Sequence, residues 1–365
     1  MDTDRIQGLV SKVCFSIVFT EFLLGIVATV CYIAIKWRSR PTLDPHARSS
    51  VYKGQPWADR YWQEFRSAAR FDYRAYVGWG MVPYHGETIA TDRQGFRRTF
   101  NSGCDPETYT VWMFGGSVLW GAGSPDWLTI PSQLAGEYSN SGRKVCVRNF
   151  GVSAWVSTQE VIELALELKR APRRPDLVVF CDGVNDVFSL YQSGEIDVHH
   201  NYDRLRELFE QGGSLRRVLE ERLSLVFRVP GSEHGRLRII TDEEAKLQLD
   251  TSYLKNMRIV KALAKEYGFD YAFFWQPVIL AGHKELSGEE EAIRKACLQE
   301  FPGMDLLFLK MYALVNAEPR PRFFDVSGSL DREKGTIYID FTHLGPEGNH
   351  LIAARMFQIL QQQGR

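Results

Sequence analysis

The chain has 365 residues, with 44 Lys and Arg against 45 Asp and Glu and a net charge of -1. This length is enough for one large domain or two ordinary ones, with a substantial core. The balanced charge, without blocks of like charge, gives no support for nucleic-acid binding, and we expect no nucleic-acid partner. The six cysteines form no CxxC pair or Cys/His ladder, so they predict neither a zinc site nor a disulfide framework, and the redox compartment stays open.

The first element in chain order is an apolar stretch at residues 13–35, preceded by a short tail at residues 1–12. It contains one carboxylate, Glu21, and no Lys or Arg. At about 1.5 Å per residue, a helix of this length spans the roughly 30 Å hydrocarbon core of a bilayer. We therefore predict an uncleaved single-pass transmembrane helix, with a buried core helix as the alternative.

The charged residues around and within this segment indicate its orientation in the membrane and its helix partners. Three basic residues follow it and two precede it, which weakly favours a cytoplasmic side for the rest of the chain. A carboxylate such as Glu21 near the bilayer centre is costly unless it is protonated or paired. That cost predicts self-association through the transmembrane helix or pairing with another helix.

The pattern of the remaining chain predicts an α/β fold. We expect a juxtamembrane connector and pre-domain segment at residues 36–104, and a domain at residues 105–365 with an insertion at about residues 186–240. Four apolar runs in that domain predict strands at residues 108–114, 144–150, 176–182 and 269–275. Amphipathic patterns predict helices at residues 157–170, 241–268 and from Pro346 to about Gln362. Apolar strands that alternate with helices indicate a parallel sheet covered on both faces.

Helix starts are suggested by side chains at capping-box spacing. Ser157 and Glu160 stand at that spacing in the helix at residues 157–170, and Thr241 and Glu244 do so in the helix at residues 241–268. We therefore expect Ser157 and Thr241 to cap these two helices.

The residues that follow the predicted strands form one candidate site, because chemistry in parallel sheets lies beyond the carboxyl ends of the strands. These residues are Gly115, Gly116 and Ser117 after the first strand, Gly151 after the second, Asn185 after the third, and Asp340 and His343 in the late segment at residues 338–350.

Ser117 is a candidate nucleophile, although a Gly-Gly-Ser sequence alone is usually a plain turn. A serine hydroxyl needs a positioned base, and His343 with Asp340 three residues earlier offers a base and a carboxylate to orient it. Backbone N–H groups at the glycines and the Asn185 amide offer donors for an oxyanion.

Other histidines give weaker signals. We expect His350 and the pair His199 and His200 to lie on the surface. A metal site of His343, His350 and Asp340 is the alternative chemistry, but it is incomplete as a ligand set.

Four segments, FGGSVLWG, NFGVSAWVSTQ, DGVND and DFTHLGPEGNHLIA, resemble in order the four sequence blocks of the SGNH (GDSL-like) hydrolase superfamily. The resemblance covers about residues 109–360 and implies a three-layer α/β/α sandwich with a parallel, flavodoxin-like sheet and no cofactor or metal. It implies a catalytic triad of Ser117, Asp340 and His343, with oxyanion-hole donors at Ser117, Gly151 and Asn185. Gly116 departs from the family pattern, because it stands where the GDS signature has Asp.

We therefore expect a membrane-anchored serine esterase that hydrolyses an ester of a small molecule, a lipid or an O-acylated glycan through an acyl-enzyme. The alternatives are an O-acyltransferase with the same triad and a catalytically silent, membrane-tethered protein that binds glycans or assembles partners. Family analogy slightly favours the exported side for the catalytic domain, against the weak charge signal.

Overall fold

The computed structural model describes residues 45–210 and 239–365, with the isolated positions Thr20, Gly25 and Thr29. The chain divides into Met1–Asp44 and a compact unit, Pro45–Arg365. The predicted transmembrane segment 13–35, apart from those three positions, lies outside the described residues, as do residues 211–238 of the predicted insertion. Within the described ranges, no helix is both long enough and apolar enough to cross a membrane.

The strands form a small hairpin and a central parallel sheet. They are β1 (Phe71–Arg74), β2 (Gly78–Met81), β3 (Tyr109–Gly115), β4 (Val145–Asn149), β5 (Leu177–Asp182), β6 (Asp270–Trp275) and β7 (Phe323–Asp325). β1 and β2 pair antiparallel, and the other strands pair in parallel in the order β4-β3-β5-β6-β7. The four predicted strands are confirmed. β7 was not predicted, because its three half-buried residues are too few to show a strand pattern.

Helices flank this sheet. They are α1 (Ala58–Ala68), α2 (Ser117–Trp120), α3 (Ile130–Asn140), α4 (Ser157–Arg170), α5 (Val184–Ser193), α6 (Tyr202–Glu210), α7 (Asp242–Gln248), α8 (Leu254–Tyr267), α9 (Gly288–Glu300), α10 (Met304–Asn316) and α11 (Pro346–Gln362). The chain moves in opposite directions along the sheet from β3 to β4 and from β4 to β5. Right-handed crossovers therefore put α3 and α4 on opposite faces. In agreement, α11 packs on α3 and α8 packs on α4.

The sheet interior is built from aromatic rings at one level of neighbouring strands. Phe114 is in register with Phe180, and Phe180 with Phe273. Their ring centroids lie 5.4 Å and 4.4 Å apart, and all three side chains are fully buried. This row of rings packs β3, β5 and β6 together near their carboxyl ends, which the site residues follow.

Residues 45–104 pack into the same compact unit as residues 105–365, so residue 105 marks no boundary in the structure. Tyr52, Tyr61 and Trp62 are buried. The Tyr52 hydroxyl donates to the Gly123 carbonyl at 2.8 Å, and the Gly123 N–H donates to the Tyr61 hydroxyl at 2.7 Å. The segment expected to be a connector therefore supports the loop that follows α2.

One of the two predictions of helix-capping residues is confirmed and the other is wrong. The box of Thr241 and Glu244 opens α7 as predicted, and a five-residue π-helix, Leu249–Tyr253, continues it into α8. The prediction for α4 is wrong, because Ser157 is its first helical residue and Val156 holds the N-cap position. The Ser157 hydroxyl instead donates to the Asp186 carboxylate at 2.6 Å.

The cysteines also differ from expectation. Cys104 and Cys146 form a disulfide, whereas Cys181 and Cys297 are free and buried. The bridge joins the start of β4 to the segment before β3, two places far apart in the chain. The sequence offered no spacing signal for this single bridge.

Candidate active site

The candidate site lies where β3 ends. Gly116 follows β3 at the N-cap of α2, and Ser117 is the first residue of that helix. Asp340 and His343 lie on the turn before α11, where the Ile339 N–H donates to the His343 carbonyl at 3.0 Å. The turn brings His343 to Ser117 across 226 positions of sequence.

Ser117, His343 and Asp340 form an unbroken chain of hydrogen bonds. The Ser117 Oγ lies 2.7 Å from His343 Nε2, and His343 Nδ1 lies 2.6 Å from an Asp340 carboxylate oxygen. The other Asp340 oxygen accepts the Thr342 and His343 backbone N–H groups at 2.9 Å and 2.7 Å. Both carboxylate oxygens are therefore held, which fixes the imidazole opposite the serine.

The electrostatics of the pair favour a charged aspartate and a basic histidine. Burial acts to raise the pKa of Asp340, but the charge and hydrogen bonds of His343 outweigh it and lower the pKa to about 2. Burial acts to lower the pKa of His343, but the Asp340 charge and hydrogen bond outweigh it and raise the pKa above its ordinary value. An imidazole of raised pKa is a stronger proton acceptor for a hydroxyl.

Asn185 lies directly beside Gly116, the residue that precedes the candidate nucleophile. It is the second residue of α5, and its Nδ2 donates one hydrogen to the Trp155 carbonyl at 2.7 Å. A Cβ added at Gly116 would lie 2.2 Å from this Nδ2. A side chain at position 116 would force Asn185 to move, so the departure from the GDS signature makes room for Asn185 in this position.

Gly151, an expected oxyanion donor, is closely packed and has an engaged N–H group. Its N–H already donates to the Asn149 Oδ1 at 2.8 Å. A Cβ added at Gly151 would lie 2.4 Å from the Trp120 backbone nitrogen, so the glycine is required for close packing on α2. The structure gives this N–H an acceptor of its own rather than directing it at Ser117.

Ala154 is a residue beside the candidate site that the sequence did not predict. It has a left-handed backbone, with φ of 64°, in the loop between β4 and α4. It directly precedes Trp155, whose carbonyl holds Asn185. Within the described ranges its N–H has no hydrogen-bond acceptor. A glycine or asparagine at this position would have indicated a left-handed turn, but alanine gives no such signal in the sequence.

A hydrogen-bond network joins the loop that carries Ala154 to the N-terminus of α5, which carries Asn185. The Asp186 carboxylate accepts the Ser157 hydroxyl at 2.6 Å and the Ser157 N–H at 3.1 Å. Asn256 Nδ2 donates to the Ser157 Oγ at 2.9 Å. The N-termini of α4 and α5 are therefore held together by buried polar groups.

The other histidines considered from the sequence lie outside the triad. His200 is buried, not on the surface as predicted, and its Nε2 lies 3.2 Å from the Asn185 carbonyl. Burial lowers the pKa of His200 to about 4. The His350 side chain is 46% exposed and lies 4.0 Å from Glu137. Over residues 45–210 and 239–365, no cluster of three His, Cys, Asp or Glu residues could hold a metal ion.

Comparisons with known proteins find similarity among solved structures. A putative arylesterase from Agrobacterium tumefaciens is 16% identical, with 70% of this chain and 99% of that chain covered and a TM-score of 0.37. The acetyl xylan esterase AlAXEase is 14% identical, with coverages of 68% and 98% and a TM-score of 0.35. A member of the lipolytic G-D-S-L family from Veillonella parvula is 11% identical, with coverages of 69% and 98% and a TM-score of 0.34.

No family model matches the chain, and no curated protein matches it. The chain is thus similar to solved structures that include a member of the GDSL family, the family that its four sequence segments resemble.

Proposed function

We propose that the protein is a serine esterase of the SGNH type that hydrolyses an acyl ester through an acyl-enzyme. The observation that carries the proposal is the hydrogen-bonded chain from Ser117 through His343 to Asp340 at the carboxyl end of β3. A hydroxyl, a neutral imidazole and a doubly anchored carboxylate in this order are the parts that nucleophilic acyl transfer requires.

In the first half-reaction, the Ser117 Oγ attacks the ester carbonyl carbon while His343 Nε2 takes the hydroxyl proton. The tetrahedral intermediate collapses, the bond to the alkoxy oxygen breaks, and His343 returns its proton to the leaving alcohol. In the second half-reaction, water attacks the acyl-enzyme with His343 as base, and the carboxylic acid leaves with Ser117 restored. Asp340 stays ionised and stabilises the imidazolium.

The oxyanion donors follow from the same geometry. The Ser117 N–H lies at the start of α2, where backbone donors favour a developing anion. The second hydrogen of Asn185 Nδ2 is available, because Trp155 takes only the first. We assign the third donor to the Ala154 N–H in place of Gly151, whose N–H donates to Asn149.

Labelling with a fluorophosphonate probe tests the nucleophile. We expect the full chain in detergent to be labelled and to hydrolyse p-nitrophenyl acetate, and Ser117→Ala to lose both. Ser153→Ala is the matched control, because this half-buried serine is on the loop beside the site but outside the triad. Equal labelling of Ser117→Ala and wild type would reject the assignment.

Product analysis then separates hydrolysis from transfer. An esterase releases free acid in proportion to the alcohol from an acylated donor. If acyl groups appeared mainly on an added sugar, the protein would be an O-acyltransferase with the same first half-reaction. Retention of glycan without turnover would favour a catalytically silent binding protein.

We also propose that residues 13–35 anchor the protein in a membrane and that its compact unit faces an oxidising compartment. The Cys104–Cys146 disulfide supports the exported side, because such bridges persist outside the reducing cytosol. Thiol alkylation of cells before lysis tests this, since the two cysteines should resist modification until reduced. Free, alkylated Cys104 in intact cells would overturn the exported orientation.

A further inference from the structure

A short turn near the start of the compact unit contacts three other segments of that unit. It is the 3₁₀-helical turn Ser50–Tyr52, which we call the bridging turn, and Ser49 is its N-cap. The Ser49 hydroxyl accepts the Val51 N–H at 3.3 Å, which fixes the start of the turn. The bridging turn belongs to the segment expected to be a connector, and its residues lie outside the triad.

The first contact is with the loop that follows the nucleophile. The Tyr52 side chain is buried, and its hydroxyl donates to the Gly123 carbonyl at 2.8 Å. This loop folds back on the nucleophile, because the Gly121 and Ala122 N–H groups both donate to the Ser117 carbonyl at 3.0 Å. The Tyr52 hydroxyl therefore holds a loop that is bonded to the backbone of Ser117.

The second contact is with the turn that carries the histidine. A Cβ added at Gly345 would lie 1.9 Å from the Val51 Cγ1, so the Val51 side chain packs directly on the Gly345 backbone. Gly345 comes two residues after His343 and is the N-cap of α11. Its φ of -73° is open to any residue, so crowding by Val51, not backbone conformation, requires glycine here.

The third contact holds the bridging turn itself in place. The Ser50 N–H and hydroxyl both donate to one Glu289 carboxylate oxygen, at 3.2 Å and 2.5 Å. Burial acts to raise the pKa of Glu289, but hydrogen bonds from Ser49 and Ser50 outweigh it and lower the pKa. The neighbouring Glu290 accepts the Ile337 N–H at 2.9 Å. One helix, α9, therefore holds both the bridging turn and the chain that leads into the histidine turn.

The two loops that the bridging turn contacts also pack on each other. A Cβ added at Gly123 would lie 2.4 Å from the Ile339 Cδ1 and 3.1 Å from the Leu344 carbonyl oxygen. Ile339 directly precedes the triad aspartate, and Leu344 directly follows His343. The hydrogen bond of 2.7 Å between Ser117 and His343 thus depends on how these loops pack, and a turn that contacts both can set their separation.

We propose that the bridging turn positions the catalytic serine and histidine relative to each other. Tyr52 holds the loop that follows the nucleophile, and Val51 holds the turn that carries the histidine. We assign both as positioning residues, because each acts through the backbone of a neighbouring loop. This inference rests on the proposed esterase function, and both residues lie outside the four sequence segments that resemble the superfamily.

A size exchange between Val51 and Gly345 tests the proposal in the full chain in detergent, with p-nitrophenyl acetate as substrate. Gly345→Ala should lower kcat about tenfold at unchanged KM, because the new methyl group pushes the histidine turn away from Val51. Val51→Ala should lower kcat about threefold, because the turn loses its contact. In the double variant the two Cβ atoms would lie 3.3 Å apart, so kcat should return to within about twofold of wild type.

Gly86→Ala is the matched control for the clash. A Cβ added at Gly86 would lie 2.2 Å from the Glu64 Oε2, so this variant also forces a buried neighbour to move. Its nearest neighbours are Glu64 and Tyr84 rather than the bridging turn. We expect both glycine variants to lower the thermal midpoint, and only Gly345→Ala to lower kcat.

Removal of one hydroxyl tests the contact made by Tyr52. Tyr52→Phe should lower kcat about threefold at unchanged KM, because the loop after the nucleophile is held less firmly. Tyr191→Phe is its matched control, since the Tyr191 hydroxyl also donates to a backbone carbonyl, that of Pro302 at 2.9 Å. Each variant deprives one carbonyl of this donor, so the thermal midpoints should fall by similar amounts while only Tyr52→Phe loses kcat.

The failures of the two proposals are distinguishable. A double variant no more active than Gly345→Ala would overturn the positioning role and leave the esterase intact, as would equal kcat values for Tyr52→Phe and Tyr191→Phe. An equal loss of kcat in Gly86→Ala and Gly345→Ala would also overturn it, because general destabilisation would then explain both. A wild-type chain that neither reacted with the fluorophosphonate probe nor hydrolysed p-nitrophenyl acetate would reject the esterase, and the positioning role with it.

Discussion

Two aspartates at the carboxyl edge of the sheet have pKa values shifted in opposite directions. Asp340 accepts hydrogen bonds on both oxygens and faces His343, and its pKa is lowered to about 2. Asp182, the last residue of β5, is buried, and burial raises its pKa to about 7. Its Oδ1 accepts from the Tyr253 hydroxyl, but its Oδ2 and both oxygens of Glu160 lack a donor among the described residues.

The difference teaches that donors, not position, decide the charge of a carboxyl group in this fold. Asp340 accepts two backbone N–H groups and the His343 ring, so it is ionised and can stabilise the imidazolium that forms when His343 takes a proton. Burial and the nearby Asp182 carboxyl raise the pKa of Glu160 well above its ordinary value. A proton held on Glu160 supplies the donor that Asp182 otherwise lacks, so the two carboxyl groups share that proton and carry at most one negative charge between them.

The largest expected effect comes from removing the charge of Asp340. Asp340→Asn should lower kcat about 10³–10⁴-fold, because the amide favours the wrong imidazole tautomer. It also removes the charge that raises the pKa of His343, so the acidic limb of kcat/KM should move to lower pH. A pH profile with p-nitrophenyl acetate measures both effects, and an unmoved acidic limb would contradict the assigned coupling.

The next largest effect is expected at Gly116, where a side chain would displace Asn185. Gly116→Ala should lower kcat about 10²–10³-fold with little change in KM, as for loss of one oxyanion donor. The backbone at Gly116, with φ of -80°, accepts alanine without strain, so the effect isolates the contact. Gly103→Ala is the control, since no atom lies within 4 Å of its added Cβ. Full activity of Gly116→Ala would remove Asn185 from the oxyanion hole.

A smaller loss of kcat is expected when the hydrogen bond between Ser157 of α4 and Asp186 of α5 is removed. Ser157→Ala removes the hydroxyl that donates to Asp186, and kcat should fall about tenfold because the two loops with oxyanion donors are less well fixed. Ser193→Ala, which removes a hydroxyl bonded within α5, should leave kcat unchanged. Equal kcat values for the two variants would show that the Ser157–Asp186 hydrogen bond does not position the oxyanion donors.

The smallest effect concerns stability at alkaline pH. A carboxyl whose pKa is raised on folding contributes stability at low pH that is lost as pH rises through the folded pKa, which for Asp182 is about 7. Glu160→Gln supplies a permanent donor and removes one titrating group. It should therefore gain about 1–3 kcal/mol relative to wild type at pH 8.5 compared with pH 5, measured by denaturant unfolding.

Glu64→Gln is the matched control for that experiment. Glu64 is also buried, but donors around it, led by Thr88, outweigh burial and lower its pKa. It stays ionised at both pH values, so its replacement should cost the same stability at pH 5 and pH 8.5. A change at Glu160 no more pH-dependent than this control would refute the proton shared between Glu160 and Asp182.

Local patterns in the sequence predicted much of the fold. The apolar runs of the four long strands, the capping residues of α7 and the Pro346 start of α11 all act through near neighbours, so they can be read from the chain. β7 could not, because three half-buried residues carry no periodicity. The packing of Tyr52, Tyr61 and Trp62 into the domain also depended on partners distant in sequence.

The residue types at the carboxyl edge of the sheet can be read from the chain, because the carboxyl ends of parallel strands meet at one edge. The sequence therefore predicted Ser117, Asn185, Asp340 and His343 as neighbours. Only the tertiary structure decided which N–H groups are free and which carboxyl groups have donors. Those properties depend on contacts between segments that are distant in the sequence, as at Gly116 beside Asn185.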